Sequence, residues 1–167
     1  MKTGLQTVLF WSFFLLVMPW ALIEVERALG IPRLSFSLPP AIPWTVFALA
    51  GTLGLLSGAT MAVAGLGTPL PMDGARRLVT TGPYAHIRNP MTVAGLTQGA
   101  CVGVWLHSPL TLAYVLAGGM IWNFFVRPIE ERYLEAEFGA PFRRYREAVP
   151  CWWFRLRAYE PTDRPGT

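Results

Sequence analysis

Charge is what this sequence has least of. Only 14% of its 167 residues are Asp, Glu, Lys or Arg, where soluble chains average roughly a quarter. There are two cysteines, which excludes a disulfide scaffold. There are two histidines, and no His, Cys or carboxylate residues stand at metal-ligand spacing, so no metal is expected. Neither a Ser-His-Asp arrangement nor a glycine-rich phosphate loop stands out. Collagen-like and coiled-coil periods are missing as well. What is abundant is apolar mass: 53% hydrophobic and 13% aromatic residues, with a mean hydropathy of +0.38. That excludes disorder and leaves an integral membrane protein.

The gaps between charges sketch the architecture. No charged side chain occurs in residues 3–23, 34–72 or 89–126, tracts of 21, 39 and 38 residues. A crossing needs about 20 apolar residues. The second tract opens with the turn-rich Pro39-Pro40-Ala41-Ile42-Pro43, and His107-Ser108-Pro109 breaks the third. The sequence therefore predicts an all-α integral membrane protein in one domain. Four transmembrane helices are expected at about 5–23, 43–66, 90–106 and 109–127, with a cytoplasmic loop 67–89 and a tail 128–167. The first run is too long for a signal peptide and lacks a small-x-small site, so a retained helix is expected.

Twelve of the 14 basic residues fall on the side of the termini and the 67–89 loop, leaving Arg27 and Arg33 opposite. Both termini are thus placed in the cytoplasm. The net charge of +4 reflects this asymmetry and attraction to anionic lipid heads. It calls for no nucleic-acid partner. The chemistry should sit at the cytoplasmic face, where the extramembrane residues are.

Gly95, Gly99 and Gly103 form a smooth face for close helix packing, as do Gly51, Gly54 and Gly58 less regularly. Such a face also leaves a homodimer open. Asn89-Pro90 suits the start of a helix. Gln98 and Asn123 fall at membrane depth, where polar side chains bond between helices or touch substrate. Cys101 and Cys151 lie in different places and do not pair.

Two cytoplasmic segments exceed what packing requires. One is TPLPMDGARRLVTTGPYAHIRNPM, from Thr68 to Met91. The other is RPIEERYLEAEFGAPFRRYREAVPCWW, from Arg127 to Trp153. In the second, Ile129, Tyr133, Leu134 and Phe138, then Phe142, Tyr145 and Val149, recur at helical spacing. This predicts a C-terminal interfacial helix on the membrane surface, with Trp152 and Trp153 in the interface belt. Glu130 and Glu131 stand beside Arg127 on a leaflet that repels anions, which a bound cation would explain.

The run GPYAHIRNPMTVAG resembles the first signature of the isoprenylcysteine carboxyl methyltransferase and phospholipid methyltransferase superfamily. RPIEERYLEAEFGAPFRRYREAVP is similar to its second, and both occur in order around a helical hairpin. The resemblance covers about Gly65 to Trp153. It implies a bacterial-type membrane methyltransferase that uses S-adenosylmethionine without a Rossmann domain, in the inner membrane, with its site at the cytoplasmic mouth. It implies Arg88 and Glu131 as catalytic positions. The cofactor-binding set it implies is Gly65, Gly67, Leu78, Val79, Gly82, Tyr84, His86, Arg88, Asn89, Pro90, Glu130 and Glu131. Thr92, Gln98, Asn123, Arg127 and Tyr145 are the candidates for the acceptor side. The chemistry agrees: a carboxylate pair suits the cofactor ammonium, and the planar Arg88 fork suits a carboxylate.

Three positions depart from the pattern. Asn89 stands for the usual His, Thr92 for the usual Tyr, and Ala148 for a frequent basic residue before Val-Pro. The expected reaction is methyl transfer to an apolar or amphipathic acceptor in the bilayer. A carboxylate or thiol of an isoprenoid-type compound is favoured, because no base for an amine stands out apart from the glutamates. The alternatives are phospholipid N-methylation and a non-enzymatic lipid-binding relative. A transporter subunit is disfavoured by the lack of charge within the expected helices.

Overall fold

A computed structural model describes residue 9 and residues 11–36, 38–65 and 77–161. Among these residues every regular element is helical and none is a strand. The uncharged tracts dictate this, since a helix satisfies its backbone polar groups within one segment. A π-helical turn, Phe13–Val17, leads into α1, Met18–Leu29. Then come α2 (Ala41–Ala64), α3 (Pro90–Trp105) and α4 (Pro109–Ile121). A π-helical stretch, Trp122–Val126, joins α4 to α5 (Arg127–Phe138), and α6 is Ala140–Ala148.

Two helices are long and apolar enough to cross a membrane: Ala41–Ala64, and the 30-residue run Pro109–Phe138. At 16 residues, α3 rises only ~24 Å against a hydrocarbon core of ~30 Å. Part of the expected first helix, 5–23, lies outside the described residues. The described helix runs on through Glu24, Glu26 and Arg27 to Leu29, so charged residues do lie within a helix. It ends at Gly30, whose φ of 65° is left-handed and whose N–H bonds back to Arg27 O. Pro128 does not end the helix expected at 109–127. The wider π-helical turn just before it makes room for the ring.

The chain divides into two compact units. The first takes in the described residues of Met1–Thr52 and Thr92–Phe124. Its glycine face does what close packing requires. A Cβ on Gly103 would lie 2.6 Å from Leu112 Cδ2, and one on Gly99 2.8 Å from Val115 Cγ2. A Cβ on Gly51 would lie 3.1 Å from the Gln98 amide nitrogen. Gln98 is buried there. The α3–α4 turn forms at His107, where φ is +50°. Ser108 caps α4 by accepting from Thr111 N–H, and Pro109 follows. The buried Glu26 carboxylate accepts from Ser108 Oγ at 2.6 Å and Leu110 N–H at 2.8 Å. That contact explains why the charge run continues the helix: Glu26 is held at the start of α4.

The second unit takes in the described residues of Leu53–Met91 and Phe125–Thr167. Its core is Phe142, Tyr145 and Val149, against Leu78, Leu134, Phe138, Ala148 and Tyr159. The apolar side of α6 is therefore covered by protein: Phe142 is 1% exposed. Gly139 separates α5 from α6 at φ 58°, ψ −127°, a conformation that glycine alone adopts easily.

Gly103→Ala should cost about 1–3 kcal/mol through overpacking against Leu112. It would be read as a lowered thermal midpoint in detergent. Gly118→Ala, with nothing within 4 Å of the new methyl and a better helix former in place, should not lower the midpoint.

Candidate functional site

The second unit brings together most of the residues singled out from the motifs. Gly65 ends α2 against Val79: a Cβ there would lie 2.7 Å from Met61 O and 2.9 Å from Val79 Cγ2. Gly82 turns the chain at φ +59° beside Thr60 Oγ1. A short 3₁₀ turn, Gly82–Ala85, follows and buries Tyr84 and Ala85. Leu78 packs on the Phe142–Val149 core. Gly67 lies outside the described residues.

Several residues of the loop are then fastened to the tail. Tyr145 Oη donates to Tyr84 O at 2.7 Å. The Nδ1 of His86 lies 2.8 Å from Arg155 O, and Arg88 N–H donates to Pro150 O at 3.0 Å. Asn89 Nδ2 donates to Cys151 Sγ at 3.1 Å. Pro90 is fully buried at the start of α3. An asparagine where the motif usually has histidine thus has a partner of its own, a buried thiol.

Arg88 is the hub. Its Nη1 donates to Glu131 Oε1 at 2.7 Å, with the two side chains 13% and 20% exposed. Arg127 Nε approaches the same oxygen at 3.7 Å, an ion pair without a hydrogen bond. The Nε atoms of both Arg88 and Arg127 are buried without an acceptor. Buried donors are nearly always satisfied, so these two guanidinium groups keep hydrogen-bonding capacity that the described residues do not use. A carboxylate is the natural complement, being planar and able to accept from a guanidinium edge.

The two tyrosines beside the cluster hold their protons. Burial pushes the Tyr84 phenol well above its ordinary value, and the Glu130 carboxylate adds to that. Burial also raises Tyr145 strongly, with Arg88 pulling the other way. A phenol whose folded pKa is raised favours the folded state fully below about pH 10, and that contribution is lost as pH rises further.

Thr92, Gln98 and Asn123 belong to the first unit, and the motif residues from Gly65 to Pro90 with Arg127 to Tyr145 belong to the second. The sequence reasoning missed Cys151, Pro150 and Arg155 as partners of the loop. The Val-Pro pair at 149–150 marks the chain leaving α6, and that was the available signal. Among the described residues no three His, Cys, Asp or Glu side chains cluster as a metal site.

With this geometry in view, the comparisons fall into place. A family model for phospholipid methyltransferases matches residues 44–141, more than half of the chain. The chain belongs to the phospholipid methyltransferase family. The match takes in most of α2, the 77–89 loop, Arg88 and the Glu130–Glu131 pair, and stops just before Phe142. The cobalt-zinc-cadmium resistance protein CzcN of Cupriavidus metallidurans is 31% identical over 111 residues, 65% of this chain and 50% of that protein. The chain therefore spans about half the length of this curated relative. No solved structure matches.

A double-mutant cycle of Arg88→Ala and Glu131→Gln in unfolding measurements should return a coupling of about 1.5–3 kcal/mol, typical of a charge-assisted bond. Tyr145→Phe should cost about 1–2 kcal/mol by orphaning the buried Tyr84 carbonyl. In an alkaline titration of the phenolate absorbance, the Tyr84 and Tyr145 signals should appear only with unfolding.

Proposed function

We propose that this protein transfers a methyl group from S-adenosylmethionine to a lipid-like acceptor in a bacterial inner membrane, with its termini and site on the cytoplasmic side. The supporting observation is the Arg88–Glu131 cluster with two buried guanidinium donors lacking acceptors, on residues matched by a methyltransferase family. When bound, S-adenosylmethionine supplies an electrophilic methyl on a sulfonium, and it also carries a carboxylate and an ammonium. Arg88 and Arg127 would hold the carboxylate through their free Nε groups. Glu131 and Glu130 would hold the ammonium by charge-assisted bonds. The Phe142–Val149 core and the tail over 84–89 would exclude water, which strengthens those contacts. In this reading the helices form four crossings, the arrangement that carries the acceptor sideways from the lipid.

The favoured acceptor is a carboxylate or thiol of an isoprenoid-type compound. A carboxylate is already ionised at neutral pH, so no residue need remove a proton during transfer, whereas a thiol would first release its proton to water. The site suits that: both nearby phenols hold their protons, and Glu131 is engaged by Arg88. N-methylation of a phospholipid amine is the second reading. The family description favours it, and Glu130 would be its base.

Reconstituted protein given radiolabelled S-adenosylmethionine should label a farnesylated thio-carboxylate probe in a form released by mild base, as an ester is. Label in phosphatidylethanolamine, stable to base, would move the assignment to the second reading. Label in neither, nor in a prenyl thiol, would contradict the enzyme assignment.

A further inference from the structure

Past α6 the chain forms a strap whose backbone is pinned to the site loop. Pro150 O accepts from Arg88 N–H. Arg155 N–H donates to His86 O at 2.8 Å, and Tyr159 N–H to Ala85 O at 2.9 Å. His86 Nδ1 closes on Arg155 O. Residues between these anchors present large apolar side chains outward: Trp153 is 76% exposed, Phe154 57% and Leu156 97%. A loose tail could turn such groups inward, but a backbone held at both ends cannot. Three neighbouring apolar residues left in water would be an unusual cost for a soluble surface.

Charge on the same stretch says what covers them. Residues 139–161 hold five arginines and two glutamates. Arg143, Arg144 and Arg157 are exposed. Aromatic rings flanked by arginine suit the headgroup region: the rings enter the acyl boundary, and the guanidinium groups meet phosphates. The apolar side of α6, by contrast, is used up in the protein core.

We infer that the strap, through Trp153, Phe154 and Leu156 with Arg157 beside them, is a docking surface for an anionic bilayer. The partner is a lipid surface rich in acidic headgroups. The inference rests on the protein residing in a membrane and is independent of any catalytic activity.

The test uses full-length protein in nanodiscs of phosphatidylcholine alone, or of equal parts phosphatidylcholine and phosphatidylglycerol. The lipids carry bromine near the headgroup end of the acyl chain. Subtracting Trp153→Phe from wild type isolates the emission of that indole. In the anionic discs this emission should be blue-shifted, quenched by bromolipid and shielded from aqueous iodide. Molar salt should reduce the quenching by screening. Leu156→Asp should reduce it too, without lowering the thermal midpoint, because that side chain touches little of the protein. Iodide quenching without bromolipid quenching would overturn the inference. So would shielding from both quenchers, which would mean that protein covers the strap, and so would equal quenching in both disc types, which would remove the anionic preference.

Discussion

The Arg88–Glu131 ion pair is the contact around which the second unit is organised. It ties the loop before α3 to the helix after α4, two segments 43 residues apart in sequence. Neither side chain is wholly withdrawn from water, and neither is free in it. An ion pair in that position stabilises only when further bonds satisfy its remaining donors and acceptors. Here they are left partly unsatisfied, because the Nε atoms of Arg88 and Arg127 have no acceptor. The molecule thus holds a cluster of two guanidinium groups and one carboxylate whose hydrogen bonds are incomplete.

The other contacts of this unit keep the cluster in place. Tyr145 reaches the Tyr84 carbonyl, Asn89 reaches Cys151, and Pro150 accepts from the backbone of Arg88. Tyr145 and the Arg88 backbone are thus attached to main chain, and the Arg88 fork takes its direction from Glu131. Rigid placement of this kind is what binding of a small charged group needs, since less ordering entropy is then lost on association. The first unit contributes a different economy. Its helices approach through glycines, and its single buried carboxylate, Glu26, is absorbed by the start of α4.

Much of this was legible in the chain. Uncharged tracts predicted α2 and α4 closely, because a long apolar run has few ways to satisfy its backbone, but not the continuation of α4 through Pro128 to Phe138. His107-Ser108-Pro109 predicted the α3–α4 turn for the same local reasons that cap any helix. Arg88, Glu130 and Glu131 were legible as motif residues, although their motifs named no bonds between them. Glu26 was not legible: a charged residue past an apolar run looks like the end of a helix until its partner, 82 residues away, is known. The covered face of α6 was also hidden. Phe142, Tyr145 and Val149 have the spacing of a lipid-facing stripe and of a core stripe alike, and tertiary context alone separates the two. Gln98 and Asn123 were chosen by depth and Thr92 by its place in the motif, and neither ground says which neighbours a polar side chain meets.

The measurement that bears most directly on the account is calorimetry of S-adenosylhomocysteine with detergent-purified protein, wild type beside Arg88→Lys and Glu131→Gln. Lysine keeps a positive charge for Glu131 but has no Nε to offer a carboxylate. The account predicts binding by wild type that weakens by about tenfold or more, roughly 1.4 kcal/mol, in both variants, with thermal midpoints showing both to be folded. Folded wild-type protein that binds no S-adenosylhomocysteine, or an Arg88→Lys variant that binds as well as wild type, would contradict it.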